Sequence, residues 1–362
     1  GEAVKSSMVC DAQTMRRMLY ENKKYTLDEI WDSIVSFEDE PEKTDEHYFE
    51  VEMFDINQEN TDLLDKTLVR KYLSFVAPVP YSAKFILEQQ IYDHAAALNY
   101  HIDEYCVRIN GAEIFKEYST RLKEPSGSSQ KTYDEISTLH FKDFVNDGKL
   151  IAWMWVGISR FEKQIPKINQ MRGVRLRSAN IQIGGDDALQ ELFKESRGNY
   201  YYVGEVFAVD DGLIPNSQRD YFNENEMRVI FEDMLSDYFS KELHSIYNTA
   251  NKIKNAFKRQ EDYLGKVQEY KTKSENHGFV DEEDKQRLKF AIEKAEGEAT
   301  EARKTLDKFK DLSDTPIAEV YKNIDKKYNA EQLTQKASTA KVPAPEKEDN
   351  GQKYVSSGMS KL

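Results

Sequence analysis

The chain has 362 residues, a length that predicts two or three folded units. Of these residues 39% are hydrophobic and 32% are charged, a composition that fits much exposed helix and excludes a disordered chain. The formal net charge of −14 argues against nucleic acid as a partner, because an acidic surface repels phosphate groups. Cys10 and Cys106 are the only cysteines, which argues against a disulfide framework and favours a cytoplasmic location, and no apolar run reaches the roughly 20 residues of a membrane span.

Residues 1–45 are interpreted as a linker or as the end of a domain that precedes this chain. The sequence starts at Gly1 without an initiator methionine, so we expect a longer parent protein. Apolar residues recur at helical spacing over residues 15–20 and 27–35. The acidic run of residues 38–42 contains a proline and is expected to end any helix.

An α+β fold with mixed sheets is predicted for residues 46–240. Its first subdomain, residues 46–165, begins with apolar and acidic residues that alternate over 49–53, a pattern typical of a half-buried strand. A helix with Asp62 as its N-cap and an apolar face over residues 64–75 is predicted next, and a second helix over residues 83–98.

Two β-hairpins are predicted from their turn sequences. Asn110-Gly111 lies between two short apolar runs, and such a dipeptide is a strong hairpin signal because both turn residues adopt a positive φ. Asn146-Asp147-Gly148 separates a strand over 139–145 from one over 150–158. The second of these strands is almost continuously apolar, which indicates a central strand in a sheet covered on at least one face.

The second α+β subdomain is assigned to residues 166–240. Its basic run, residues 172–177, is interpreted as the polar face of a strand, and residues 174–183 as a strand pair or one bent strand. A short helix over 188–195, a strand over 200–209 and a helix that begins near Asn225 are predicted to follow.

Heptads dominate the chain from residue 241 onward. Apolar residues recur on alternating three- and four-residue steps from Leu243 to Val267 and from Leu288 to Phe309, which predicts two helices joined by a loop. We interpret residues 241–312 as an antiparallel coiled-coil hairpin that projects and contacts a partner; a helix pair inside a larger bundle is the alternative. A short helix over 313–336 and a flexible tail over 337–362 are predicted to end the chain.

Complete catalytic motifs are missing from the sequence. The six histidines show no metal-ligand spacing, so no metal site is expected, and the chain has no Walker A loop and no nucleophile elbow. Gly184-Gly185-Asp186-Asp187 could be a phosphate or cation loop, but we favour a tight turn before a helix capped by one of the two aspartates.

The most informative segment comprises Gly204-Glu205-Val206, Asp210-Asp211, Leu213, Asn216, Arg219 and Asp220. It resembles the middle domain of the ninety-kilodalton heat-shock chaperones, where a strand ending in Gly-Val-Val-Asp-Ser precedes a Leu-Pro-Leu-Asn-x-x-Arg-Glu loop. The Asn-to-Arg spacing is the same, whereas Pro215 is shifted by one position. With residues 172–177, 180–184 and 214–216 included, the stretch is similar to uncharacterised prokaryotic ATP-binding proteins of the GHKL superfamily. The resemblance covers roughly residues 45–240 and leaves out the helical hairpin.

The resemblance implies that residues 166–240 are a transducer of the ribosomal-S5-domain-2 type. It places Arg219 on the γ-phosphate of ATP with Asn216 beside it, and a guanidinium can clamp phosphate oxygens in a bidentate way. The alternative is that Arg219 pairs with a surface carboxylate. The superfamily's Mg²⁺ helix and adenine loop do not occur here, so we expect ATP and Mg²⁺ in a missing upstream domain, no cofactor in this chain, and no activity of the chain alone.

The implied function is the middle, transducer and coiled-coil portion of a chaperone-like ATPase. Its expected partners are its own upstream ATPase domain and a protein client bound through the helical hairpin, with a second copy in a homodimer as a further option and no membrane partner. The main alternative is a non-enzymatic interaction module that presents the hairpin, and a complete enzyme of unfamiliar type is a third.

Overall fold

The computed structural model describes residues 3–21, 23–43 and 48–339. The chain divides into two compact units, Gly1–Thr61 and Asp62–Leu362. The predicted tail over 337–362 lies outside the described residues except for its first three positions, which are helical.

The first unit is a β-hairpin with two helices inserted between its strands. Its elements are β1 (Ala3–Cys10), α1 (Ala12–Tyr20), α2 (Leu27–Ile34) and β2 (Val35–Glu42). Asp11 caps α1, and Thr26 and Glu29 form a capping box at the start of α2, so both helices predicted from spacing are confirmed. Helix α2 ends at Ile34, before the acidic run, and that run lies within strand β2, which was not predicted. A two-stranded ribbon tolerates Pro41 because one side of each strand needs no hydrogen-bond donor.

The strand predicted over residues 49–53 is wrong. Residues 48–54 have no regular secondary structure, and the Phe49 side chain is 93% exposed. The alternation is present in the sequence, but no described strand lies alongside to supply hydrogen bonds, and an unpaired strand is not stable in water.

The second unit contains the remaining elements. They are α3 (Lys66–Val76), α4 (Glu88–Ala97), β3 (Arg108–Ile109), β4 (Ala112–Glu113), β5 (Arg121–Ser126), β6 (Ser129–Glu135), β7 (Thr138–Asn146), β8 (Lys149–Ile158), β9 (Gly173–Ser178), β10 (Ile181–Ile183), β11 (Val203–Ala208), α5 (Glu226–Tyr238), α6 (His244–Thr272), α7 (Glu282–Lys310) and α8 (Pro316–Thr339).

A five-stranded mixed sheet organises this unit, in the order β10-β9-β11-β8-β7. All neighbours are antiparallel except β11 and β9, which run parallel from Val203 beside Gly173 to Ala208 beside Ser178. The mixed sheet and the flanking helices confirm the α+β class. Because β8 pairs with β11, the segments 46–165 and 166–240 contribute strands to the same sheet.

The sheet is covered on both faces, so the central position predicted for β8 is confirmed. Trp153 and Trp155 face a layer that contains α3 and α4, whereas Ala152, Met154 and Val156 face α5, α6 and α8. This alternation follows from the two-residue period of a strand. Each face therefore has its own apolar core.

The hairpin turns adopt the geometry that their sequences predict. Asn110 and Gly111 have φ values of 49° and 80°, and Asp147 and Gly148 have values of 49° and 78°. A third turn of this kind, Ala179-Asn180 with φ values of 48° and 58°, joins β9 to β10. Residues 174–183 are thus a strand pair rather than one bent strand.

Several predicted helices differ from the structure: α4 begins at Glu88 rather than at residue 83, and α8 spans Pro316–Thr339 rather than 313–336. Helix α3 begins after Asp65, whose Oδ1 accepts hydrogen bonds from the backbone N–H groups of Thr67 and Leu68, rather than after Asp62. Residues 188–195 do not form an α-helix. The segments Gln190–Leu192 and Ser196–Tyr201 are 3₁₀ turns instead, and neither has a side-chain cap, so Asp186 and Asp187 do not cap a helix.

The predicted helical hairpin is present as α6 and α7, but its base is part of the core. Residues of α6 from Ile246 to Phe257 join Ala302 and Leu306 of α7 and Val320 and Ile324 of α8 in the core beneath the sheet. Farther out, Leu288 and Ala295 are buried in the seam outside that core, while Leu264 is 53% exposed. Helix α8 packs against α6, so the proximal part is a three-helix arrangement.

Polar contacts also fix the base of the hairpin to the sheet. The Tyr202 hydroxyl donates to the Leu243 carbonyl oxygen at 2.6 Å, where a short π-helical segment joins α5 to α6. The Lys254 ammonium donates to the Phe161 carbonyl oxygen, and Lys327 of α8 pairs with Glu162 at 3.1 Å. The segment after β8, residues 159–172, therefore contacts both α6 and α8.

Candidate functional site

The loop after β11 forms a small hairpin that presents Arg219 at its tip. Pro215 and Phe222 are bridge partners, and the Asn216 N–H donates to the Tyr221 carbonyl at 2.9 Å. The Arg219 N–H donates to the Asn216 carbonyl at 3.0 Å, which closes the tip. The Gly184 N–H then donates to the Arg219 carbonyl at 2.9 Å and attaches the tip to the end of β10.

Glycine is required at position 184 for this attachment. Its φ is +66°, and a Cβ there would lie 2.6 Å from the Asp220 carbonyl oxygen and 2.9 Å from the Ala188 Cβ. A larger residue would therefore push the loop away from the sheet. The Gly-Gly sequence thus serves a close backbone approach.

Arg219 has a strained backbone and an exposed side chain. Its φ of 54° is in the left-handed region, which is uncommon for a long side chain. Its guanidinium forms no ion pair or hydrogen bond with any described residue, so none of the described surface carboxylates is its partner. Strained residues held by their surroundings are frequent at functional sites.

The Asn216 side chain contacts Asp220 at the tip, and Asn216 is not among the residues that line the cavity beside Arg219. Its Nδ2 donates to the Asp220 Oδ1 at 2.5 Å, while its Oδ1 is buried without a partner among the described residues. Asn216 therefore shapes the loop, and its only link to Arg219 is the backbone hydrogen bond.

The Arg219 side chain lines a cavity of about 960 Å³. Its walls are α3, residues 167–172, the β9–β10 hairpin with Gly184–Asp186, and the tip at 218–220. Basic side chains outnumber acidic ones there. The five cations are Lys71, Lys167, Arg172, Arg175 and Arg219, and the two carboxylates are Asp186 and Asp220, a formal net charge of +3. This local sign is opposite to that of the whole chain.

Two arginines of the basic run form the fixed part of the cavity. Arg175 is buried, its guanidinium lies 4.4 Å from the centroid of the Phe75 ring, and one terminal nitrogen donates to the Gln182 Oε1 at 2.8 Å. Its Nε is buried without an acceptor among the described residues, and burial lowers the pKa of this guanidinium. Arg172 stacks on Tyr200 at 4.1 Å and contacts Asp186 at 3.7 Å.

A second polar cluster lies next to the cavity, buried on the same face of the sheet. Glu205 of β11 accepts hydrogen bonds from the Arg177 Nε, the Tyr81 hydroxyl and the Tyr118 hydroxyl, the last at 2.9 Å. The Lys116 ammonium lies 3.5 Å from the Glu205 Oε2 and donates to the Asn180 Oδ1 at 2.7 Å. All three charged groups are fully buried.

The cluster has one cation in excess. Arg177 and Lys116 share the single carboxylate of Glu205, and both cations lower the pKa of Glu205 to about 2 despite its burial. Burial first, and then Arg177, lowers the pKa of Lys116 to about 7. A neutral Lys116 leaves the Arg177–Glu205 pair balanced, which is the less costly state in a buried site.

Arg177 connects this cluster to the cavity. One terminal nitrogen donates to the Phe75 carbonyl oxygen at 2.9 Å and another to the Asn180 carbonyl oxygen at 2.9 Å. Phe75 lies in α3, which forms a wall of the cavity, and its ring carries the Arg175 guanidinium. The position of α3 therefore depends on both arginines.

Sequence reasoning did not find Lys116, Arg177 or Glu205 as a cluster. The basic run has the pattern of a polar face, and Arg175 and Arg177 do share one face of β9, but Phe75 of α3 contacts both and that face is buried. Glu205 in the middle of an otherwise apolar strand was the available signal, because a fully buried strand has no solvent side for a carboxylate.

No described group of three or more His, Cys, Asp or Glu side chains could hold a metal ion. In the same residues no helix is both long and apolar enough to span a membrane. Cys10 and Cys106 are both exposed, and neither forms a disulfide bond. A scan against known protein-family models finds no match, and a search of curated proteins finds no significant relative.

Proposed function

We propose that this chain is the middle, transducer and coiled-coil part of a chaperone-like ATPase of the GHKL type. In this role Arg219 contacts the terminal phosphate of ATP held by another domain, and the sheet transmits the contact to the helical hairpin. The observation that carries the proposal is the Arg219 side chain, which is exposed, unpaired with the described residues, and fixed at a strained tip beside a cationic cavity.

Two contacts at the base of the hairpin support this coupling, because they are made by a segment that lines the same cavity as Arg219. The segment after β8 lines the cavity with Lys167 and Arg172, and the same segment holds α6 through Phe161 and α8 through Glu162. A ligand that moves this segment would therefore move the base of the hairpin. Coupling of this kind needs two arrangements of the contacts between the segment after β8 and helices α6 and α8. Hydrogen exchange of α6 in the parent protein, measured with and without ATP, would detect them.

The coding sequence upstream of Gly1 tests the proposal first. We expect a nucleotide-binding domain with a Glu-x-x-x-Asn helix and an Asp-x-Gly-x-Gly loop. The ATPase role would be overturned if the reading frame lacks such a domain and if the purified protein, with and without added partner proteins, hydrolyses no ATP.

A non-enzymatic interaction module is the second candidate, and exposed apolar residues on the outer hairpin favour it. Phe290 of α7 is 71% exposed and Leu264 of α6 is 53% exposed, which leaves apolar surface on the hairpin for a partner to cover. Changing both residues to Ser should abolish partner capture while ATP turnover of the parent is retained, if the hairpin serves binding alone. Loss of turnover as well would instead support the coupled ATPase.

A further inference from the structure

Three cations around the cavity have no counter-ion among the residues that the structure describes. The side-chain charges of Lys71 in α3, Lys167 in the segment after β8 and Arg219 at the loop tip form no ion pair or hydrogen bond with a described residue. The chain has 65 acidic residues and 51 basic ones, so carboxylates are not in short supply. Three separate elements nevertheless bring unpaired positive charge to one concave site.

The remaining charges of the cavity are already engaged. Asp186 lies 3.7 Å from Arg172, and Asp220 accepts a hydrogen bond from Asn216. Arg175 is held by Gln182 and Phe75 and keeps one unpaired nitrogen. The two carboxylates are thus directed at other partners, and they leave the three free cations uncompensated.

Like charges that converge without a counter-ion repel each other, so this arrangement favours a bound anion. A cavity of about 960 Å³ is at the upper end of the range for small-molecule sites, roughly 300–1,000 Å³, and exceeds the needs of a single phosphate ion. Lysine and arginine side chains are the usual partners of phosphate oxygens, through charge-assisted hydrogen bonds.

We propose that the cavity binds a small, multiply charged oxyanion of the polyphosphate class, with Lys71, Lys167, Arg172 and Arg219 as its contacts. The cations come from this chain alone, so binding needs no second domain. The inference is separate from the ATPase role, which requires only Arg219 and a nucleotide held elsewhere. The same phosphate chemistry could come from an inorganic polyphosphate or from the triphosphate tail of a nucleotide.

The test is calorimetric titration of the full chain with inorganic triphosphate, in parallel with ATP, ADP and orthophosphate. We expect triphosphate to bind at least as tightly as ATP, with ADP and orthophosphate weaker, and binding to weaken as NaCl rises because salt screens exposed charges. Much tighter binding of ATP than of triphosphate would overturn the assignment and indicate a nucleoside site.

Charge-matched variants separate the cavity from general surface attraction. The double variant Lys71→Gln/Lys167→Gln should weaken triphosphate binding about tenfold or more, since each lost charge-assisted hydrogen bond is a sizeable part of such an affinity. The control Lys289→Gln/Lys294→Gln removes the same charge from exposed sites on α7 and should leave binding unchanged. Equal weakening by both variants, or no binding of triphosphate to the unaltered chain, would overturn the proposal, whereas the ATPase role would still be tested by Arg219→Ala in the parent.

Discussion

Replacement of Glu205 by Gln should destabilise the second unit strongly. Glu205 is the only carboxylate within contact of the fully buried Arg177 and Lys116 among the described residues. The substitution preserves size but removes the negative charge, and it leaves Arg177 with two neutral carbonyl partners, those of Phe75 and Asn180. Lys116 can release its proton, but a guanidinium cannot.

The expected magnitude follows from the cost of a broken buried pair. Removal of one partner from such a pair costs about 3–5 kcal/mol, and the two tyrosine hydroxyls that donate to Glu205 lose their charged acceptor as well. Because small domains are stable by only about 5–15 kcal/mol, a loss of this size is a large share of the total.

Urea unfolding at pH 7.5 measures the effect. Trp153 and Trp155 lie in the same buried layer as the cluster, so their fluorescence reports on this core, and far-ultraviolet circular dichroism provides a second probe. Glu301→Gln is the matched control, because Glu301 pairs with Lys304 at the exposed surface and the unfolding midpoint should not move. A Glu205→Gln midpoint equal to that of the control would refute the reasoning that the buried charges depend on this carboxylate.

Two further outcomes follow from the same structure. In the folded chain Lys116 has a pKa of about 7, against an ordinary value of 10.5, so the unfolded chain binds more protons between these two pH values. The free energy of unfolding should therefore rise from pH 7 to pH 9, and Lys116→Met should flatten this rise when urea midpoints are measured across that range. Gly184→Ala should destabilise the fold by more than about 1 kcal/mol and speed hydrogen exchange at the tip near Asp220, because a positive φ and a clash coincide at position 184. Gly127→Ala is the control, because Gly127 also has a positive φ but open space around its Cβ position. An equal effect of the two substitutions would exclude the clash as a cause.

Much of the fold was predictable where one local rule dominates. The turns at Asn110-Gly111 and Asp147-Gly148 were predictable because few residues accept a positive φ, and the α6–α7 hairpin because heptads persist over many turns. The start of helix α5 near Asn225 was also predicted, and Asn225 is its N-cap. These features depend on neighbours in sequence rather than on distant contacts.

Features that depend on distant partners were not predictable. Alternation over residues 49–53 suggested a strand, but only a neighbouring strand could stabilise one. Arginines on one face of β9 look the same in sequence whether water or Glu205 faces them. The cavity likewise needs Lys71, Lys167 and Arg219 from three elements that are far apart in the chain, and only the fold brings them together.

The central claim, that Arg219 acts on a nucleotide phosphate, is tested by ATP hydrolysis in the longer protein that the proposal predicts, in which a nucleotide-binding domain precedes this chain. Arg219→Ala should lower kcat by about 10²–10³-fold and change the Kd for ATP far less, because the cation stabilises charge that develops in the transition state. Arg219→Lys should recover part of the rate, since an ammonium cannot form the bidentate contact. Arg197→Ala, which removes an exposed arginine paired with Glu195 outside the cavity, should leave kcat unchanged. Full hydrolysis by Arg219→Ala would contradict the account.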